Sequence, residues 1–190
     1  MLDFHTEVAF HPAAPDYLLL FCLRSDHDRK AQTIFSGIKK TLSGLDSKTR
    51  ELLRQPLYTT GIDYSFCGKN AEKGRGPTLS ILRGPDSDPV MFFDPDLMVG
   101  ANEEAQAAIA TLKAELDRNR DGIVLSPGDL LIVDNLKAVH GRTSFTAMYD
   151  GNDRWLQRLV VKRDLRQSEI AFGKRERILS WTADSYFAEA

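Results

Sequence analysis

At 190 residues and 21.3 kDa the chain has the length of one domain with a sizeable core, and 42% apolar against 27% charged residues is ordinary for a globular protein. A near balance of 25 basic and 27 acidic residues, net charge -2, gives no basic surface excess, so no nucleic-acid partner is expected. The longest apolar run, YLLLFCL at 17–23, is too short to span a bilayer and lacks a basic segment before it, so neither a membrane span nor a signal peptide is expected.

In chain order, LDFHTEVAF at 2–10 has no helical period and predicts a strand, and HPAAPD at 11–16 a turn. YLLLFCLR at 17–24 predicts a buried strand. TIFSGIKKTLSGL at 33–45 predicts a short helix, and DSKTRELLRQPLY at 46–58 another, with Asp46 or Ser47 as N-cap and Pro56 ending it. TTGIDYSFC at 59–67 is strand-like, and the composition of 67–77 predicts a mobile loop. TLSILRGP and VMFFDPDLMV are two strands around the turn PDSDP. The segment 102–120 is the clearest helix, rich in Ala, Glu and Leu with acidic residues in its first turn. GIVLSPGDLLIVDN at 122–135 has a hairpin-like break at SPGD. DRWLQRLVVKRDL at 153–165 alternates with period two, and the segment from 166 on is an unanchored tail. The sum is a mostly antiparallel sandwich or barrel with one or two helices outside. Cys22 and Cys67 lie in apolar or aromatic surroundings and predict buried thiols, which fits a reducing, cytoplasmic location.

His5 and Glu7 stand two apart, so in a strand they point to one face. An imidazole beside a carboxylate is half of a metal site. Of the other histidines, His27 lies in the hydrophilic turn SDHDR, and His11 precedes Pro12 close to the pair without being a ligand. His140 follows the apolar strand DLLIVDN and precedes Gly141, which permits a close backbone approach. Two imidazoles and one carboxylate leave open positions on Fe(II). Arg154 and Arg158, four apart in DRWLQRLVV, share a strand face with Leu156 and Val160 and lie about 13 Å apart if the strand is regular. An arginine on an apolar strand calls for an anion, and its fork fits a carboxylate at two points. The competing reading is that both arginines pair only with the plentiful acidic side chains.

Taken together, HTE at 5–7, His140 in AVHGR, Arg154 and Arg158 resemble the clavaminate synthase-like branch of the TauD/TfdA-type Fe(II)/2-oxoglutarate-dependent dioxygenases, which includes the free amino-acid hydroxylases acting on arginine, asparagine and lysine. The similarity extends through GIDYSF, FDPDLMVG and LSPGDLLIVDN, over nearly all of residues 3–166; residues 1–166 are taken as the dioxygenase domain, the C-terminal part of the family domain, with 167–190 as its tail. It implies a double-stranded β-helix (jelly-roll) core with flanking helices, incomplete at its N-terminus. It also implies a metal triad of His5, Glu7 and His140. Arg154, 14 positions after His140, would hold 2-oxoglutarate with help from Thr33, 28 positions after His5. Arg158 would hold the α-carboxylate of the amino acid, Glu7 its amine, and Asp94 its side-chain end; Asp96 is a second candidate there, or only part of a turn.

The cofactors implied are Fe(II), 2-oxoglutarate and O2, and the reaction is hydroxylation at C3 or C4 of a free amino acid, arginine or lysine first and asparagine next, with release of succinate and CO2. Desaturation or cyclisation on the same fold, and an inactive fragment, are the alternatives. A cupin-type metalloenzyme would want more clustered histidines, and the intact Glu7 argues against chlorination. Relatives carry a long segment before HTE, which predicts exposed sheet edges and apolar surface here, to be covered by a partner or a second copy of the chain.

Overall fold

The computed structural model describes residues 1–63 and 73–173. Its elements are β1 (Leu2–His5), β2 (Tyr17–Arg24), β3 (Gln32–Gly37), α1 (Ile38–Ser43), α2 (Ser47–Arg54), β4 (Tyr58–Thr59), β5 (Thr78–Leu79), β6 (Leu82–Arg83), β7 (Val90–Met91), β8 (Val99–Gly100), α3 (Glu103–Arg118), β9 (Asp121–Val124), β10 (Leu130–Asp134), β11 (Ala138–Arg142), β12 (Trp155–Val161) and α4 (Arg166–Phe172). Two antiparallel sheets matter for the site. The first has the order β1-β11-β3-β9 and the second β10-β2-β12. Two smaller sheets, β5-β4-β8 and β6-β7, complete the strands.

The two faces of the first sheet have different duties. Phe4, Ile34 and Val139 point to one side and are buried in the main apolar cluster with Ile109, Leu112 and Leu116 of α3. That helix forms where composition predicts it. Asn102 caps it, its side chain accepting from Ala105 N–H, while Glu103 and Glu104 meet the positive helix end and Arg118 the negative one. In an antiparallel pair, directly opposed residues share a face. The register His5↔His140↔Phe35 and Arg142↔Thr33 therefore puts these five side chains on the other side, away from the core. Side chains from the second sheet's segment reach them there: Arg154 donates to Thr33 Oγ1 at 3.2 Å and Arg158 to Glu7 at 2.8 Å. The site thus lies between the two sheets, and the largest apolar core lies behind one of them.

Several expectations are corrected. Residues 32–37 form a strand, not the start of a helix: Thr33, Ile34 and Phe35 are β-prone, β3 is paired on both sides by β11 and β9, and the helix starts only after Gly37. The SPGD break does not make a hairpin, because β9 and β10 belong to different sheets. There the chain crosses between layers, with Gly128 at φ 95° and Asp129 accepting from Ser126 N–H. β2 is buried on one face only: Leu18 and Cys22 are buried, whereas Phe21 and Leu23 are exposed. With Leu130, Ile132 and Leu159 they leave a bare apolar face on the second sheet. The first residues of the expected tail form α4, with Ser168 buried. α2 is capped by Asp46. Cys22 is a buried free thiol; Cys67, with the rest of 64–72 and everything after 173, lies outside the described residues. No described helix is long and apolar enough to cross a membrane.

Leu112→Ala, at a fully buried position on α3, is expected to cost about 2–5 kcal/mol. Leu159→Ala, on a side chain that is 61% exposed, should cost about 0.5 kcal/mol or less. Chemical denaturation of the two variants checks the contrast.

Candidate metal and co-substrate site

β1 is the edge strand of the first sheet and reaches β11 only because Gly141 has no side chain. A Cβ there would stand 2.7 Å from the Leu2 carbonyl oxygen and 3.0 Å from that of Asp3. One extra residue in β1 between Leu2 and His5 makes a bulge, which sets His5 opposite His140. Their rings lie 4.3 Å apart between centroids. The expectation that Glu7 shares a strand with His5 is corrected: β1 ends at His5, and Glu7 enters through a turn in which Val8 has φ 54°. A β-branched residue in the left-handed region is strained, and the strain sits beside the site.

Two residues not singled out from the sequence hold this turn. Thr6 is fully buried, donates its N–H to Phe93 O at 2.7 Å and accepts from Phe93 N–H at its hydroxyl, which joins the His5 segment to the strand before Asp94. Asn135 is fully buried as well. Its Oδ1 accepts from Glu7 N–H at 2.8 Å and its Nδ2 donates to Glu7 O at 3.1 Å and Pro15 O at 3.0 Å. Its place at the end of an apolar strand, where a buried amide needs partners, was the only signal in the sequence.

One ligand atom each from His5, Glu7 and His140 lies within 4.8 Å of the others. His5 donates Nδ1–H to Asp3 O at 3.0 Å, which leaves Nε2 as the free lone pair. His140 Nε2 is 3.6 Å from Glu7 Oε2. Burial alone would raise the Glu7 carboxyl, but the His140 hydrogen bond and the charges of Arg158, His140 and His5 together hold it below the ordinary carboxylate value. Burial, against the pull of Glu7, pushes His140 below the ordinary histidine value. A neutral imidazole and an ionised carboxylate are the forms a metal takes. His140 Nδ1 is buried without a partner among the described residues. The donor set, two nitrogens and a carboxylate oxygen on one side of a cavity, fits a divalent iron with positions left open.

His11 is not in this group; it is buried, its Nδ1 accepts from Ala13 N–H, and burial and Lys162 lower its pKa. His27, expected as a solvated turn residue, pairs with Asp150 at 3.1 Å and lies near Asp153. The Asp153 carboxylate already accepts from Met148 and Tyr149 N–H, so this second cluster fastens a loop.

Arg158 donates to Glu7 Oε1 although its side chain is 60% exposed. Arg154 lies just before β12, not within it, and the bulge between Trp155 and Leu156 breaks the even spacing expected between the two arginines. Arg158 and Asp94 line a small cavity of about 60 Å³ with His5, Glu7 and Asp63, and Asp63 was not singled out from the sequence. Asp96 is exposed and lines only an adjoining recess of about 250 Å³. Asp94 Oδ1 accepts from Asp96 and Leu97 N–H, so Asp94 is both turn-former and cavity wall. Burial, partly offset by His5, pushes its carboxyl up to about 6. A surface recess of about 590 Å³ beside α1 and α2 includes none of these residues.

Residues 1–160 match the family described as taurine catabolism dioxygenase TauD, TfdA family. The chain belongs to this family. Clavaminate synthase 2 of Streptomyces clavuligerus is 37% identical over 175 residues, which are 92% of this chain and 54% of that protein. L-lysine 3-hydroxylase of Catenulispora acidiphila is 38% identical over 183 residues, 94% of this chain and 50% of that one. The crystal structure of asparagine oxygenase in complex with Fe(II), 2S,3S-3-hydroxyasparagine and succinate superposes with a TM-score of 0.85 at 37% identity, covering 94% of this chain and 56% of that chain. This TauD-family chain therefore spans about half the length of the relatives it matches.

The raised Asp94 pKa yields a stability prediction. Its folded value lies above the unfolded 3.8, so ionising it costs stability, a cost absent well below 3.8 and complete above about 6. Asp94→Asn, which keeps an acceptor for the turn, should stabilise the metal-free protein by about 1–2 kcal/mol at pH 7. That gain should shrink as pH falls below about 6 and vanish only well below 3.8, in melts across this range.

Proposed function

We propose that this chain carries the metal- and co-substrate-binding half of an Fe(II)- and 2-oxoglutarate-dependent oxygenase that hydroxylates C3 or C4 of a free L-amino acid, arginine or lysine first and asparagine next. The observation that carries the reading is the convergence of His5, Glu7 and His140 ligand atoms beside Arg158 and Asp94, in a chain of the TauD family. Relatives named for lysine 3-hydroxylation and crystallised with 3-hydroxyasparagine support an amino-acid substrate and favour C3. The two facing sheets are taken as the walls of a double-stranded β-helix.

In this reading His5, Glu7 and His140 hold the iron, which with 2-oxoglutarate and O2 supplies the oxidising power for an unactivated C–H bond. The chain's own residues bind and orient. Arg154 and Thr33 take the distal carboxylate of 2-oxoglutarate. Arg158, which is exposed and within hydrogen-bond reach of Glu7, takes the α-carboxylate of the amino acid, and Glu7 takes its amine. Asp94, costly to ionise when unpaired, is satisfied by a cationic or amide side chain. Asp96, at the outer recess, is a weaker contact.

The test is a mass-spectrometric screen of free amino acids with Fe(II), ascorbate and 2-oxoglutarate. The expected product is arginine or lysine heavier by one oxygen atom, with succinate formed in equal amount and loss of both in Glu7→Ala. Arg154→Ala should raise the KM for 2-oxoglutarate about 10- to 100-fold, far more than that for the amino acid. Oxidation confined to peptide- or carrier-bound amino acids would sink the substrate assignment.

The bare face formed by Phe21, Leu130, Ile132 and Leu159 is read as the seat of further polypeptide equivalent to the half of the relatives that this chain does not match. Alone, the 190-residue chain should self-associate through that face. Ile132→Lys with Leu159→Lys should shift it toward monomer in sedimentation velocity; association unchanged by the pair would refute this.

A further inference from the structure

Arg142 is the one arginine of the inner face of the first sheet for which the reading above has no use. It follows His140 by two residues on β11, so it shares the face of that ligand, and it lies directly opposite Thr33 on β3. Thr33 Oγ1 accepts from Arg154 Nη2 at 3.2 Å. Arg142, opposite Thr33 in the register, and Arg154, which donates to the Thr33 hydroxyl from just before β12, are therefore close enough for the charge of one to act on the other.

Their surroundings do not neutralise them. Among the described residues no carboxylate comes within ion-pair distance of Arg142 or Arg154, and Arg142 Nε is buried without a hydrogen-bond partner. The nearest buried acid felt by Arg154, Asp26, already accepts backbone N–H groups of Lys30 and Ala31. Burial and the neighbouring Arg142 charge both push Arg154 below the ordinary arginine value. The ring of Phe145 lies 4.7 Å from the Arg142 guanidinium and keeps that group in place. Like charges brought together beside an unfilled donor are relieved by an anion placed between them. Because Thr33 already accepts from Arg154, its own proton is free for that anion.

We propose that Arg142 is a second arginine of the co-substrate site, binding the distal carboxylate of a dicarboxylic 2-oxo acid from the side opposite Arg154, with the Thr33 hydroxyl donating to the same group. This rests on the oxygenase reading above. A carboxylate can accept about four hydrogen bonds, and two guanidinium forks and one hydroxyl can fill them. The consequence is specificity: a 2-oxo acid with no distal carboxylate leaves two cations facing each other, so the site rejects it more strongly than one arginine could.

The experiment is an anaerobic titration of the Fe(II)-loaded 190-residue chain with 2-oxoglutarate, followed by the visible charge-transfer band of the chelated metal. Fe(II) affinity is measured separately without 2-oxo acid. Arg142→Met should weaken 2-oxoglutarate binding about 10- to 100-fold with Fe(II) affinity unchanged. Binding of 2-oxobutyrate, which lacks the distal carboxylate, should be unchanged or improved. Arg142→Lys, which keeps the charge without the fork and guards against a folding defect in the Met variant, should fall between. If Arg142→Met binds 2-oxoglutarate as the parent does while Arg154→Met does not, Arg142 has no part in the site and the assignment is overturned. If 2-oxoglutarate and 2-oxobutyrate weaken equally, the role is structural and the assignment also fails. A parent protein that binds Fe(II) but develops no band with either acid would overturn the oxygenase reading itself, and the assignment with it.

Discussion

Everything at the site is placed relative to one buried carboxylate whose backbone is gripped by a side chain 128 positions away. Asn135 accepts from the Glu7 N–H and donates to its carbonyl, while also reaching Pro15. A fully buried amide with its hydrogen bonds made stabilises modestly, but any partner left unpaired costs about 1–3 kcal/mol. The grip is therefore specific more than strong: this placement of the opening residues fills both the acceptor and the donors of Asn135. Thr6 acts in the same way toward Phe93, and so the segment carrying Asp94 is fixed against the one carrying His5 and Glu7. Two polar side chains without catalytic chemistry decide where the chemistry can occur.

The stability of the site is spent on function in three places. Val8 adopts a left-handed conformation unsuited to a β-branched residue, Asp94 is a carboxyl pushed up to about 6, and burial with the neighbouring Arg142 charge holds Arg154 below the ordinary arginine value. The main core compensates from the other side of the first sheet, where α3 and the small sheets bury Phe4, Ile34, Val139, Leu112 and Tyr58. Separating the packed layer from the reactive layer lets the inner face carry charge, which a fully apolar barrel interior could not.

The second sheet has the opposite arrangement. Its inner side holds Leu18, Cys22 and Val133 and presents Arg158 to the site, while its outer side shows large apolar residues to solvent. Strand β2 pairs with β10 and β12, so its hydrogen bonds are satisfied, but only one of its faces is buried.

Much of the local structure was legible from residue types. The helix over 103–118 follows from its Ala, Glu and Leu content and the Asn102 cap, α2 from Asp46, and the strands at 17–24, 130–134 and 155–161 from their apolar or alternating patterns. The candidate metal ligands were legible as chemistry, since His5, Glu7 and His140 are of kinds that could hold a metal and their ligand atoms converge, and Gly141 signalled a close approach that the Leu2 and Asp3 carbonyls make. What sequence could not determine were relations between distant residues. Whether 32–37 is strand or helix depends on β11 and β9 lying on either side of it. Whether SPGD turns a hairpin depends on which sheet each flanking strand joins. The bulge in β1, the grip of Asn135 on Glu7 and the contact of Arg154 with Thr33 were likewise decided only by tertiary structure. Propensity and capping act within a few residues of chain, whereas hydrogen-bond satisfaction and charge pairing in a folded protein act between segments more than a hundred residues apart, and no local pattern encodes them.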